Sequence, residues 1–149
     1  TFYDLGYNLR PTEINGFIGN TQIPYLEEII NTRKDTFLEI AEKIYSQTDR
    51  FYPIRYDHID FVSNFAFPIV CKTKKIRDEL VEKCDGILEL RPIVGGDMTK
   101  QPFFGKYEKD RILVDSNAGL IHNQGLYFGN NPELSQKEKR AIVDIFTNF

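Results

Sequence analysis

The sequence contains no tryptophan, one methionine, two cysteines and two histidines in 149 residues. Cys71 and Cys84 follow no metal-ligand spacing, and no metal site is expected from the cysteines and histidines. Cys71 lies in an apolar run, where cysteine behaves as a small core hydrophobe. His58 and His122 lie in no catalytic motif, and no hydrolase arrangement of serine, histidine and carboxylate is present. We therefore expect both histidines to be structural or on the surface.

A large net charge and long apolar stretches are also missing. The net charge is −3 and the pI is about 5.4, which gives no reason to expect binding to nucleic acid or to an anionic membrane surface. No apolar stretch approaches the length that crosses a membrane, and no signal peptide is recognisable. The basic run at residues 72–75 predicts a solvated helix start. The expected location is the cytoplasm, with neither nucleic acid nor a membrane as a partner.

The composition that remains is that of a globular protein. Hydrophobic residues make up 41% and charged residues 28%, and 12 phenylalanines and 8 tyrosines favour a well-filled core. The length suits one domain, and no repeat, low-complexity segment or linker divides it. The chain has no initiator methionine and begins just before the motif at residues 6–15. We interpret residues 1–149 as a single domain cut from a longer protein.

Apolar residues recur at spacings of three and four between residues 14 and 44, which predicts a long amphipathic helix with Thr12 as its N-cap. Pro24 should break or bend this helix near residues 21–24, because proline removes a backbone hydrogen bond. Gly16 and Gly19 each cost about 1 kcal/mol relative to alanine in a helix. Either another backbone packs closely against them, or the helix simply tolerates them.

Short strands and helices are predicted in the rest of the chain. Strands are expected at 61–62, 65–71, 87–93 and 126–129, a loop at 103–110, a short apolar segment at 112–114, and helices at 76–83, 116–124 and 136–147. Ser135 and Glu138 have the spacing of a capping box before the last helix. The strand, helix, strand order is compatible with a parallel crossover unit.

The segment before the first helix combines groups that suit an anion. Pro11 should hold Arg10 in an extended conformation, and in an extended segment Asn8 and Arg10 would point in the same direction. Thr12 and Glu13 suit the positive end of the helix that follows. An amide, a guanidinium and a helix N-terminus fit a phosphate. The alternative is an ordinary helix entry with a solvated arginine.

Three segments carry a resemblance to a known family. They read Gly-Tyr-Asn-Leu-Arg-Pro-Thr-Glu-Ile-Asn at 6–15, Arg-Pro-Ile followed by Gly-Gly-Asp-Met-Thr-Lys-Gln-Pro at 91–102, and Gly-Leu-Tyr-Phe-Gly-Asn-Asn-Pro-Glu-Leu-Ser at 125–135. In this order they resemble DegT/StrS-type nucleotide-sugar aminotransferases, which depend on pyridoxal phosphate (PLP). The resemblance implies an α+β fold, the C-terminal small domain of fold-type-I PLP enzymes. It has a long N-terminal helix and further helices on a small, mainly antiparallel sheet. One sheet should contain Phe67, Leu90 and Tyr127.

The resemblance also implies roles for single residues. Asn8 matches an asparagine that reaches the PLP phosphate of the neighbouring subunit in a homodimer, and Arg10 belongs to the same cofactor-binding region. Arg91 matches an arginine near the nucleotide-sugar site of dehydrase-like members. The alternative for Arg91 is a solvent-exposed arginine at a strand end. Gln101 matches the family glutamine and is the second candidate for substrate binding.

Two positions depart from the family pattern. Asp97 replaces the asparagine that is usual in the Gly-Asn motif, and this exchanges a donor and acceptor for a charged acceptor. Asn131 stands where many relatives have histidine. No substrate contact is carried over to either residue.

The resemblance implies a PLP-dependent aminotransferase acting on a nucleotide-linked keto-deoxysugar in lipopolysaccharide or deoxysugar biosynthesis. One alternative is a 3-dehydrase of 4-keto-6-deoxysugars that uses pyridoxamine phosphate, and residues 91–102 and 125–130 look closer to that branch or to an aminotransferase near it. Another is a non-catalytic binding or dimerisation module. The PLP-binding lysine of the family, or the histidine that replaces it, belongs to the large domain that precedes this segment. No catalytic residue is therefore assigned within 1–149, and the chain alone should be inactive.

Overall fold

The computed structural model describes residues 3, 4, 6, 12–107 and 116–148. Its helices and strands are α1 (Glu13–Gln22), α2 (Leu26–Ile44), β1 (Ala66–Val70), α3 (Lys74–Cys84), β2 (Arg91–Pro92), α4 (Pro102–Tyr107), α5 (Asn117–Gln124), β3 (Gly125–Gly129) and α6 (Gln136–Thr147). Single 3-10 turns occupy Ile23–Tyr25 and Met98–Lys100. Helices and a small antiparallel sheet confirm the predicted α+β class.

The long first helix begins after Thr12 and is interrupted at Pro24, as predicted. Thr12 is the extended N-cap of α1, and its backbone N–H donates to Asn15 Oδ1 over 3.0 Å. A 3-10 turn with Pro24 in its first positions separates α1 from α2. The two helices differ in burial. α1 has no buried residue, whereas α2 buries one stripe of its second half: Thr36, Phe37, Ile40, Ala41 and Ile44.

The three strands form one antiparallel sheet in the order β1-β3-β2. Phe67 of β1 lies opposite Phe128 of β3, and Arg91 of β2 lies opposite Tyr127. The pairing is antiparallel throughout the described sheet, so the fold is not the parallel crossover that the element order allows.

The strand predicted at 87–93 is shorter than expected. Only Arg91 and Pro92 pair with β3, and Leu90 lies just before them. The backbone amides of Ile87 and Leu88 both donate to the Cys84 carbonyl over 2.9 Å, so they are used in a turn after α3. Pro92 itself has no amide to donate, which limits the ladder further.

Two other local predictions are wrong. Residues 61–62 are not a strand; Phe61 instead lies beside Lys34, whose Nζ is 5.5 Å from the ring centroid. The loop predicted from residue 103 is α4 up to Tyr107, because Pro102 suits a first helical position and Phe103 is buried. Residues 108–115, which include the short apolar segment at 112–114, lie outside the described residues.

The remaining helices agree with the sequence. Thr73 caps α3 by accepting from the Ile76 amide over 3.2 Å, so the lysines at 74 and 75 stand in an exposed first turn. Ser116 caps α5 by accepting from the Gly119 amide. The capping box of α6 is present as well: the Ser135 amide donates to Glu138 Oε2 over 2.8 Å.

The core lies between the inner face of the sheet and helices α2 and α6. Phe67 and Phe128 stack there with their ring centroids 5.0 Å apart, and Phe146 of α6 lies 5.4 Å from Phe128. Phe37 of α2 packs on Phe67 at 5.1 Å. This confirms the aromatic core expected from the composition.

Cys71 and Cys84 are buried free thiols of this core. Burial raises the pKa of Cys71 to about 12 and also raises the pKa of Cys84. The described residues contain no cluster of three histidine, cysteine, aspartate or glutamate side chains that is able to hold a metal ion. Within the same residues, each helix is too short or too polar to span a bilayer.

Candidate functional site

Arg91 projects from the outer face of the sheet. Residues opposite each other in an antiparallel pair share a face, so Arg91 stands beside Tyr127 and away from the buried Leu126 and Phe128. The Arg91 side chain is 59% exposed. A pocket of about 310 Å³ opens here, between Phe65, the segment 88–91 and residues 127–129. The sheet thus presents a cation at the wall of an open pocket.

The guanidinium of Arg91 already has two partners in the chain. Its Nε donates to Glu89 Oε1 over 2.8 Å, and Nη2 lies 2.7 Å from the same oxygen. The Glu89 carboxylate first, and then the Tyr127 side chain opposite Arg91 in the ladder, raise the pKa of Arg91. Because both members of the ion pair are exposed, the pair is weakly held. A phosphate, with more acceptor oxygens, is therefore able to replace Glu89.

The second candidate, Gln101, closes a tight glycine-rich segment. The backbone is left-handed at Val94 (φ +42°) and Gly96 (φ +63°), and the Gly96 amide donates to the Ile93 carbonyl over 2.9 Å. Gln101 is buried, and its Nε2 donates to the Gly95 carbonyl over 3.0 Å. This amide therefore fastens the two ends of the 94–101 segment together.

Asp97 caps the 3-10 turn inside the same segment. Its Oδ1 accepts from the Thr99 amide over 3.0 Å and from the Thr99 hydroxyl over 2.6 Å, and its Oδ2 lies 3.9 Å from Lys100 Nζ. These contacts, led by the Thr99 hydroxyl, lower the pKa of Asp97. Asp97 is only 5% exposed. The N-cap position of this turn requires a hydrogen-bond acceptor, and the Asp97 carboxylate provides it.

His122 of α5 joins the segment from outside, a contact that sequence reasoning missed. The Asp97 amide donates to His122 Nδ1 over 3.1 Å, and the half-buried ring lies directly against Gly96. Glycine at position 96 is the sequence signal for a close approach. No local pattern, however, links it to a histidine 26 positions later.

The predicted site residues fall into separate places. Arg91 lines the pocket at the sheet, whereas Gln101 lines a different pocket of about 300 Å³ formed with residues 92–96 and His122. Asn8 and Arg10 lie outside the described residues. Asp4, which precedes them, bonds to Lys106 and Tyr107 of α4. Asn131 is exposed, and its Oδ1 accepts from the Glu133 amide over 3.1 Å, which is a turn before α6.

The fold is shared with solved structures of a nucleotide-sugar dehydratase. The structure of E. coli GDP-4-keto-6-deoxy-D-mannose-3-dehydratase with bound hydrated PLP matches with a TM-score of 0.74 and 27% identity, over 95% of this chain and 36% of that chain. A variant of GDP-4-keto-6-deoxymannose-3-dehydratase with bound GDP-perosamine gives a TM-score of 0.74 and 26% identity, over 95% of this chain and 37% of the other.

The chain belongs to the DegT/DnrJ/EryC1/StrS aminotransferase family, whose model matches residues 2–147. The lipopolysaccharide biosynthesis protein RfbH of Salmonella typhimurium (strain LT2) is 28% identical over 152 aligned positions, which cover 100% of this chain and 35% of that protein. The chain thus spans about a third of the length of the relatives it matches. The family resemblance seen in the sequence is confirmed.

Neither candidate pocket supplies a complete site for PLP. The cofactor ring needs a lysine or its replacement and a carboxylate partner, and neither pocket has a lysine among its described lining residues. The donors at Arg91 do suit a phosphate group. The lining of the pocket at Arg91 therefore fits an anionic group such as phosphate, and neither pocket fits the cofactor ring.

Proposed function

We propose that the chain is the C-terminal small domain of a longer cytoplasmic enzyme that acts on a nucleotide-linked 4-keto-6-deoxysugar with PLP or pyridoxamine phosphate. The reaction favoured is removal of the 3-hydroxyl group. Amino transfer is the second candidate, although the sequence motifs by themselves favour it. The product would serve lipopolysaccharide or deoxysugar synthesis.

The observation that carries this proposal is the match of fold and sequence together. A solved dehydratase with bound PLP covers 95% of the chain, and the family model covers residues 2–147. The name of the family supports amino transfer, and the name of the structural relative supports dehydration. The name of the relative RfbH, a lipopolysaccharide biosynthesis protein, supports a role in lipopolysaccharide synthesis.

In this proposal Arg91 binds the diphosphate of the nucleotide sugar. Its fork of N–H donors leaves Glu89 and takes two phosphate oxygens, beside Tyr127 of the neighbouring strand. Gln101 contributes from the neighbouring pocket, by holding the 94–101 segment beside the sugar.

Asn8 and Arg10 are proposed to hold the cofactor phosphate of the partner subunit in a homodimer. An amide and a guanidinium are suitable donors for a dianion. When bound, PLP supplies an electron sink for the substrate, and the residues that hold its ring are assigned to the large domain.

The proposal is tested on the natural protein that contains this chain. We expect that protein to convert GDP-4-keto-6-deoxymannose. Dehydration would remove the 3-hydroxyl group, whereas amino transfer would add an amino group from an amino donor. Mass spectrometry distinguishes the two products. Arg91→Lys should raise KM about tenfold or more, because the bidentate contact is lost. Arg55→Lys, at an exposed arginine of the 46–60 loop, is the matched control. Absence of both products from a protein that binds PLP would refute the proposal.

A further inference from the structure

His122 makes a contact whose chemistry fixes its protonation. The Asp97 backbone N–H donates to His122 Nδ1 over 3.1 Å. A ring nitrogen that accepts a hydrogen bond carries no hydrogen, so the ring is neutral and its hydrogen is on Nε2. Steric fit adds a second constraint, because a Cβ at position 96 would lie 2.2 Å from the same Nδ1. Gly96 therefore lets the ring reach the Asp97 amide.

The bond to His122 differs from the others that shape this segment. The Gly96 amide bonds to Ile93, Thr99 bonds to Asp97, and Gln101 bonds to Gly95, so these contacts all lie within residues 93–101. They shape the segment, and the paired strand β2 and the buried Phe103 hold its two ends. His122 lies on α5, 25 positions from Asp97, and ties this shape to a helix.

We propose that His122, as the neutral Nε2–H tautomer, is a positioning residue that holds the 94–101 segment against α5 and thereby helps to set the place of Gln101. The positioning role follows from the contacts of this chain. Its consequence for substrate binding rests on the proposed function.

Nuclear magnetic resonance of this chain tests the tautomer directly. Two-bond proton–nitrogen correlations at pH 8 should show an unprotonated Nδ1 and a protonated Nε2 for His122. His58 is the internal control, because its side chain is 63% exposed and it is the other histidine of the sequence. A protonated Nδ1 in His122 would overturn the proposal.

Variants test the positioning role. His122→Leu removes the acceptor, and amide exchange at Asp97 should become about five- to tenfold faster, as expected for loss of one hydrogen bond. His122→Asn keeps an acceptor near the position of Nδ1 and should restore most of the protection. His58→Leu should leave it unchanged. Equal exchange in the wild type and in His122→Leu, or a failure of His122→Asn to differ from His122→Leu, would overturn the proposal.

Steady-state kinetics of the natural enzyme tests the positioning role of His122 separately from the proposed function. With the nucleotide sugar as substrate, His122→Leu should raise KM several-fold and change kcat less, since Gln101 is displaced but no reacting group is lost. If KM is unchanged while the Asp97 amide exchanges faster, the substrate role of Gln101 is wrong, and the positioning role of His122 is supported by the exchange result.

Discussion

Gly96 and Gly86 share a left-handed backbone conformation but have different surroundings. Their φ angles are +63° and +70°. A Cβ at Gly96 would collide with the His122 ring, whereas a Cβ at Gly86 would meet nothing within 4 Å. The two glycines therefore separate the cost of backbone conformation from the cost of a steric clash.

We expect Gly86→Ala to lower the free energy of unfolding by about 1 kcal/mol, the cost of a left-handed alanine. Gly96→Ala should cost about 2 kcal/mol more, because the His122 ring must move. Urea unfolding measures both. In the background His122→Ala the added cost of Gly96→Ala should disappear, and equal costs with and without the ring would show that the contact is not made.

Asp97 should make stability sensitive to acid. Its pKa is lowered from 3.8 by the Thr99 hydrogen bonds, so its stabilising contribution is present above pH 3.8 and is lost as the pH falls below that value. We expect Asp97→Asn to weaken this loss of stability between about pH 4 and pH 2. Thermal unfolding across this range measures it, and Asp57→Asn, at an exposed carboxylate, is the control. Parallel pH curves for wild type and Asp97→Asn would contradict the expectation.

The residue-scale predictions from the sequence succeeded where the chemistry is local. The Ser135 and Glu138 pair and the cap at Thr12 were recognisable because each acts within one turn. Arg91 was placed correctly at a strand end. The contact between Gly96 and His122 was not predictable, because it depends on how α5 packs and not on neighbouring residues.

At the scale of elements, α2 and α6 meet through an ion pair at the edge of the core. Lys139 Nζ lies 3.6 Å from Glu39 Oε2, with side-chain exposures of 10% for the lysine and 35% for the glutamate. The two charges therefore have unequal access to water, and removing one is not equivalent to removing the other.

We expect Glu39→Gln to cost about 2 kcal/mol, because it leaves a buried ammonium without this carboxylate. Lys139→Met should change the free energy of unfolding by about 1 kcal/mol or less, since the methionine packs where the lysine stem lay and Glu39 remains partly hydrated. The double variant should recover most of the loss. Chemical unfolding measures the free energy of unfolding of each variant. A larger loss for Lys139→Met than for Glu39→Gln would contradict the prediction.

Element boundaries were predictable only where one residue decides them. Pro24 breaks the first helix because it has no amide to donate, and this property is visible in the sequence. The strand at 87–93 is shortened because the Cys84 carbonyl accepts two of its amides, a competition that the alternating pattern does not reveal. In α4, Gly105 and the charges around it favoured a loop, and burial of Phe103 outweighed them.

At the scale of the whole molecule, α1 has no buried residue although it carries large apolar side chains. Ile14 is 71% exposed and Phe17 is 73% exposed. The Cβ positions of Gly16 and Gly19 meet nothing within 4 Å, so within the described residues no backbone packs on them. The sequence left open whether another backbone packs against these glycines. In the homodimer proposed above, that backbone would belong to α1 of the second subunit.

We expect this chain to self-associate through α1, because a partner would remove Phe17 and Ile14 from water. Phe17→Glu should shift the distribution toward monomer in analytical ultracentrifugation. Gln22→Glu adds the same charge to α1 without removing an apolar side chain and should leave the distribution unchanged. A wild-type chain that remains monomeric at the highest concentration reached would rule out this association.

The fold as a whole was predicted through the family motifs and not through periodicity. Composition and pattern alone were compatible with a parallel or an antiparallel sheet, and the structure is antiparallel. The motifs at 91–102 and 125–135 favoured the antiparallel sheet. Contacts over long separations, such as β1 with β3, are encoded in the complementary shapes of Phe67 and Phe128, which no local rule describes.

Because both native cysteines are buried, a cysteine introduced at the surface can be labelled without first replacing them. Burial raises the pKa of the Cys71 thiol to about 12, so the reactive thiolate is scarce there at neutral pH, and Cys84 is 1% exposed. A cysteine introduced at the exposed Gln22 would therefore react with a maleimide dye while the native thiols remain unmodified. Fluorescence from that single dye reports on α1 without prior removal of the core cysteines.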